Sequence, residues 1–112
     1  MEKTNSKISK KKSYFYVLWC KDNTLYAGYT TNLKRREKEH NTGTGAKYTR
    51  PASRRPLKMI YAEIFTTRSE AMKAEAAFKK LTRKNKEKYL KKNGVIFPFS
   101  EKNKCMIKEW DE

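Results

Sequence analysis

The chain has 112 residues, with 28 Lys and Arg against 12 Asp and Glu, which gives a formal net charge of +16. This length allows one domain with one modest core, and so large an excess of positive charge favours a polyanionic partner, most often nucleic acid. Two distant cysteines and one histidine exclude a disulfide framework and a His/Cys zinc cluster, and no apolar run is long enough to cross a membrane.

The first twelve residues are polar and rich in lysine. They have almost nothing apolar to bury, so we expect a disordered basic arm over residues 1–12 and no secretory signal. The protein is therefore expected in the cytoplasm, where its thiols stay reduced.

Two strands are predicted next along the chain. Tyr14 to Cys20 is aromatic and β-branched, and Leu25 to Tyr29 has a similar composition. Lys21-Asp22-Asn23 between them is typical of a turn. The two strands should form a β-hairpin.

A first helix is predicted after the hairpin. Thr31 or Asn32 can cap it, and it should end near His40 or Asn41. A loop with glycines, prolines and several basic residues follows over residues 42–56.

The second half of the domain begins with a third strand, Leu57 to Phe65, which is rich in Ile, Tyr and Phe. Thr67 and Glu70 then match a capping box that opens a second helix, which should end near Leu81. A third helix, capped by Thr82, should run through residue 92, with Gly94 closing it.

The order β-β-α-β-α-α predicts an α+β domain with a three-stranded antiparallel sheet flanked by helices. We place this domain at residues 13–93 and expect residues 94–112 to form a C-terminal tail, whose aromatic residues can pack back on the domain.

One carboxylate lies on the apolar side of the second helix. Glu75 falls within a stripe that includes Ala71, Ala74 and Phe78. A carboxylate that faces a core is costly unless it is paired or holds a cation. Glu75 either binds Mg²⁺ or Mn²⁺, forms a buried ion pair with an arginine, or lies at a wet edge of the stripe.

Arg36 and His40 are four residues apart on the first helix, so their side chains reach the same place. Arginine suits phosphate, and histidine can move a proton. The alternative is that both belong to the solvated face of a basic helix.

Tyr16 and Tyr26 lie in the two strands of the hairpin. Strand tyrosines usually pack a sheet surface. A catalytic tyrosine must lose a proton, and nearby cations such as Lys34, Arg36 or a metal ion would lower its pKa.

Taken together, these residues resemble the GIY-YIG nuclease family, and most closely its small stand-alone bacterial branch. The resemblance extends from about Tyr14 to Lys92 and depends on the order and spacing of five features. These features are Tyr14-Phe15-Tyr16, Tyr26-Ala27-Gly28, Arg36, His40 and Glu75.

The resemblance implies hydrolysis of a phosphodiester bond by in-line attack of water, with one Mg²⁺ or Mn²⁺ ion held by Glu75. Either Tyr16 or Tyr26 would be the general base. Arg36 would stabilise the developing phosphoryl charge, and His40 would contact the substrate or assist proton transfer. Gly28, Lys34, Lys47, Thr49 and Arg50 would form the nucleic-acid-binding surface.

The implied function is that of an endonuclease selective for DNA structure rather than sequence, in DNA repair or recombination. A non-catalytic nucleic-acid-binding module with the same fold is the alternative, and an RNA-associated basic protein with exposed stacking rings is a third. We expect DNA rather than RNA as the partner, no membrane contact, and a monomer that recognises its substrate alone or with a partner protein.

Overall fold

The structure is a computed structural model that describes residues 12–109; residues 1–11 of the predicted basic arm and residues 110–112 lie outside the described part. All six predicted elements are confirmed, and a short fourth strand follows them. The elements are β1 (Ser13–Cys20), β2 (Leu25–Thr30), α1 (Leu33–Asn41), β3 (Leu57–Phe65), α2 (Arg68–Lys79), α3 (Arg83–Lys92) and β4 (Met106–Glu109). Two 3-10 turns, Lys47–Thr49 and Ala52–Arg54, lie between α1 and β3.

The sheet has the strand order β2-β1-β3-β4. Strand β1 is antiparallel to both β2 and β3, whereas β4 runs parallel to β3. The predicted three-stranded antiparallel sheet is therefore wrong: the sheet has four strands and is mixed. The four residues of β4 include Lys108 and Glu109 and have no apolar alternation. They form a strand because the edge of β3 from Tyr61 to Ile64 offers hydrogen-bonding groups.

Alternate residues of β1 divide the core into two layers. Phe15 and Val17 pack in a cluster that includes Phe78 of α2 and Leu90 of α3. Tyr16 and Leu18 point to the other face, where Leu33 of α1 packs against their cluster. Tyr16 thus faces the side of the sheet on which α1 lies.

Helix starts are fixed by local side chains, as the sequence predicts. In each helix the N-cap oxygen accepts a hydrogen bond from the backbone N–H three residues later. The pairs are Asn32 with Arg35, Thr67 with Glu70, and Thr82 with Asn85.

Two side chains of α1 bind the edge of β3 that β4 does not reach. The Asn41 amide donates to the carbonyl of Leu57 at 3.0 Å and accepts from the N–H of Leu57 at 2.7 Å. The carboxylate of Glu37 accepts from the N–H of Met59 at 2.8 Å. Since these groups would otherwise lack strand partners, α1 completes the sheet here and is held in a fixed position.

Replacement of Asn41 should loosen this attachment. We expect Asn41→Ala to lower the free energy of unfolding by about 2 kcal/mol, because two backbone groups lose their partners. Urea unfolding followed by circular dichroism would measure this. Asn103→Ala is the matched control, since it removes only one exposed contact to Ile96, and an equal loss in both variants would contradict the role of Asn41.

Candidate active site

The side chain of Tyr16 is almost completely buried, with 1% of its surface exposed, and lies across the backbone of β2. Its partner across the two strands is Gly28. A Cβ atom at position 28 would lie 2.5 Å from the Tyr16 hydroxyl oxygen and 2.7 Å from its Cζ. Gly28 is therefore required by the close approach of the phenol.

His40, in the last turn of α1, is fully buried against this phenol. Its Nε2 lies 2.8 Å from the Tyr16 hydroxyl, and its Nδ1 lies 2.6 Å from the hydroxyl oxygen of Thr49. Gly45 permits this packing, since a Cβ there would come within 2.6 Å of Nδ1. Both ring nitrogens of His40 thus have partners from outside its own helix.

Burial lowers the pKa of His40 from its usual 6.5 to about 4. The positive charge of Arg36 lowers it as well, and the carboxylate of Glu39 acts in the opposite direction. The imidazole is consequently neutral at pH 7, with one nitrogen that carries a proton and one that accepts a hydrogen bond.

Arg36 lies one turn before His40 and is partly exposed. Its Nη1 donates to Glu39 at 2.9 Å, and its guanidinium lies close enough to the Tyr16 hydroxyl to act on the pKa of that group. Burial raises the pKa of Tyr16 to about 12, although Arg36 acts to lower it. The phenol therefore keeps its proton at neutral pH.

Glu75, on α2, lies at the rim of the site, because the ammonium group of Lys79 that it binds is 5.4 Å from the Tyr26 ring. Its side chain is 16% exposed, and its Oε2 lies 2.8 Å from Nζ of Lys79. The sequence offered an arginine pair, a wet stripe edge or a metal as explanations; the partner present is a lysine one turn along α2.

Glu75 alone fits a magnesium ion but not a metal that needs a cage of protein ligands. Residues 12–109 contain no group of three or more His, Cys, Asp or Glu side chains that could hold a metal. Mg²⁺ keeps several waters and commonly takes one or two carboxylates together with substrate phosphates. One half-buried carboxylate at the rim of the site, with Lys79 as its partner, meets that requirement.

Tyr26 forms the rim of the site and is only partly buried. Its ring centroid lies 5.4 Å from that of His40 and 5.6 Å from that of Tyr48, with which it stacks. Nζ of Lys79 is 5.4 Å from the Tyr26 ring, and the guanidinium of Arg54 is 3.9 Å from the Tyr48 ring. The two hairpin tyrosines thus occupy different environments, one enclosed and one at the surface.

The five residues predicted to bind nucleic acid fall into two groups. Lys34, Lys47 and Arg50 are exposed. Gly28 and Thr49 are buried, and the hydroxyl of Thr49 is engaged by His40 and the carbonyl of Ala46. Neither Gly28 nor Thr49 is therefore exposed for contact with a nucleic acid.

A shallow basic groove of about 460 Å³ extends from Arg36, and the sequence did not reveal it. Its lining includes Arg35, Arg36, Arg68, Tyr29 and Glu39. Arg68 is the first residue of α2 and lies over the ring of Tyr29 at 5.4 Å. A positive charge at a helix N-terminus is unfavourable because it opposes the helix dipole. This unfavourable position was the one signal in the sequence that Arg68 has a role other than stabilising α2.

The low pKa of His40 predicts a pH-dependent stability. The unfolded chain binds a proton on His40 below pH 6.5, whereas the folded chain does so only near pH 4. Stability from the neutral ring is thus complete above pH 6.5 and is lost as the pH falls towards 4, by roughly 3 kcal/mol. Urea unfolding of the protein and of His40→Gln should show a difference that shrinks over this range; a constant difference would contradict it.

Comparison with known proteins agrees with this geometry. Residues 12–89 match the GIY-YIG catalytic domain. A UPF0213 protein from Enterococcus faecalis is 69% identical over 83 residues, which are 74% of this chain and 94% of the relative. A UPF0213 protein from Pediococcus acidilactici is 61% identical over 83 residues, or 74% of this chain and 85% of the relative.

A solution NMR structure of a protein from E. faecalis is also similar to this chain. It shares 69% sequence identity over 74% of this chain and 86% of its own, with a TM-score of 0.52. Among the described residues, no helix is long and apolar enough to span a membrane. The chain belongs to the GIY-YIG nuclease superfamily, together with the small bacterial UPF0213 proteins that it resembles.

Proposed function

We propose that this chain is a metal-dependent endonuclease that hydrolyses phosphodiester bonds in DNA, selects its substrate by structure rather than sequence, and acts in repair or recombination. The observation that carries the proposal is the 2.8 Å contact between the Tyr16 hydroxyl and Nε2 of His40. Arg36 lies one turn before His40 on α1, and Glu75 on α2 lies at the rim of the same site. Binding alone gives no reason to keep the half-buried carboxylate of Glu75 in a protein of charge +16.

Tyr16 is the better candidate for the general base, because its hydroxyl is 2.8 Å from a histidine nitrogen. As the bond between phosphorus and the water oxygen forms, the bond between phosphorus and the leaving oxygen breaks. The water proton moves to the phenol oxygen, the phenol proton moves to Nε2 of His40, and the leaving oxygen takes a proton from solvent. The raised pKa of Tyr16 makes this transfer necessary, since a free phenolate is rare at neutral pH. Tyr26, at the rim, would contact the substrate.

Arg36 would bind a phosphoryl oxygen and stabilise the charge that develops there. Burial is the main cause of the low pKa of His40, and the positive charge of Arg36 adds to it. The same anionic phosphate offsets that charge, so substrate binding would make His40 a stronger base. A divalent ion held by Glu75 would supply Lewis-acid stabilisation of the leaving oxygen.

The groove that extends from Arg36 would hold the phosphates next to the scissile one. Arg35 and Arg68 line it, and Arg36 belongs to both the groove and the candidate site. Exposed Lys34, Lys47 and Arg50 would add contacts to the backbone. Phosphate contacts carry no sequence information, which is consistent with recognition by shape.

Loss of the carboxylate should abolish cleavage and spare binding. We expect Glu75→Ala and Glu75→Gln to reduce Mg²⁺- or Mn²⁺-dependent cleavage at least about 100-fold, with no loss of affinity because a negative charge is removed. The assay is cleavage of a labelled panel of single-stranded, duplex, flap and junction DNA.

Glu87→Ala is the matched control for this experiment. Glu87 is also a helix carboxylate with an i,i+4 cationic partner, Arg83, but lies on α3. Its loss should leave cleavage unchanged. Binding without cleavage by the unaltered protein, across the panel and with both metals, would overturn the nuclease proposal in favour of a binding module.

Arg68 should contribute to affinity rather than to the chemical step. We expect Arg68→Gln to weaken DNA binding and to reduce the slope of log affinity against log salt by about 0.9, because one phosphate contact is lost. Fluorescence anisotropy over a salt series would measure it. Arg83→Gln removes the same charge from a residue bound to Glu87 and Asn23, so an equal change in slope would contradict a specific role for Arg68.

A further inference from the structure

One buried hydrogen-bonded chain connects the candidate active site to the loop after α1. It runs from Tyr16 through His40 and Thr49 to the carbonyl of Ala46. The distances are 2.8 Å from Tyr16 to His40, 2.6 Å from His40 to Thr49, and 3.0 Å from Thr49 to the carbonyl. Thr49 is fully buried, so its hydroxyl serves this chain and not a ligand at the surface.

The carbonyl end of the chain permits only one direction of donation, because a carbonyl is only an acceptor. The Thr49 hydroxyl has one hydrogen, which it donates to Ala46, so it must accept from Nδ1–H of His40. A neutral imidazole with its proton on Nδ1 has an acceptor at Nε2, which takes the hydrogen of the Tyr16 hydroxyl at the other end.

The opposite direction would leave groups unsatisfied. If Thr49 donated to Nδ1, the hydrogen bond from its hydroxyl to Ala46 would be lost. Nε2–H would then donate to the phenol oxygen, and the phenol hydrogen would need an acceptor other than His40. Buried polar groups without partners are costly, so the first direction is favoured at both ends.

We propose that Thr49 is a positioning residue that sets the tautomer of His40, holding the proton on Nδ1 so that Nε2 accepts from Tyr16. This inference rests on the proposed function, because it is this tautomer that can take the Tyr16 proton during hydrolysis. The 3-10 turn Lys47–Thr49 and Gly45 place the hydroxyl against the ring.

The tautomer can be measured without any assay of activity. His40 is the only histidine of the chain, so its ring nitrogens give an unambiguous long-range ¹H–¹⁵N NMR spectrum of the full protein. We expect a protonated Nδ1 and an unprotonated Nε2 at neutral pH in the unaltered protein and in Thr49→Ser. Protonation at Nε2 in the unaltered protein would overturn the inference.

Thr49→Val keeps the shape of the side chain and removes the hydroxyl. We expect a mixed or reversed tautomer in this variant and a kcat at least about 10-fold lower with little change in KM, and we expect Thr49→Ser to restore both. The dispersion of the backbone NMR signals shows whether Thr49→Val is folded. A folded Thr49→Val with the original tautomer and kcat would overturn the positioning role.

The experiments can reject either proposal without rejecting the other. If the unaltered protein cleaves no DNA, the nuclease proposal fails, while the NMR spectra of Thr49→Val and Thr49→Ser still decide whether Thr49 sets the tautomer. If the protein cleaves DNA and the tautomer does not respond to Thr49, the nuclease proposal stands and this inference fails.

Discussion

The burial of the Tyr16 phenol against the bare backbone of Gly28 is the constraint on which the rest of the site depends. It brings a hydroxyl group from the central strand β1 across the neighbouring strand, where the side chains of α1 and α2 can reach it. A phenol placed this way needs an acceptor inside the protein, and His40 supplies it. Helix α1, which carries His40, is held in position by Asn41 and Glu37, because their side chains bind the edge of β3.

Much of the fold follows from local signals in the sequence. The caps Asn32, Thr67 and Thr82 depend only on residues within one turn, so helix starts could be predicted. Strand β4 could not be predicted, since four residues without alternation pair with a strand more than forty positions earlier. Its existence depends on the edge of β3 and not on its own composition.

Local signals in the sequence also made part of the candidate site predictable. Tyr16, Arg36, His40 and Glu75 were predicted from their order and spacing. The structure joins Tyr16 to His40, places Arg36 one turn from His40 and places Glu75 at the rim. The burial of His40 on a basic helix and the inward position of Thr49 depend on how residues 42–56 fold over α1, which no local pattern encodes. Arg35 and Arg68 meet only because β2, α1 and α2 converge on one groove.

The complete burial of His40 has a consequence for the proposed hydrolysis. Its ring is closed off by Thr49 and Gly45 on one side and by Tyr16 on the other, so a proton that reaches it during hydrolysis has no direct exit to water. That proton must return through the same phenol once the product has left. His40 would therefore have to lose this proton before each new turnover. In the proposed enzyme, deprotonation of His40 would depend on product release.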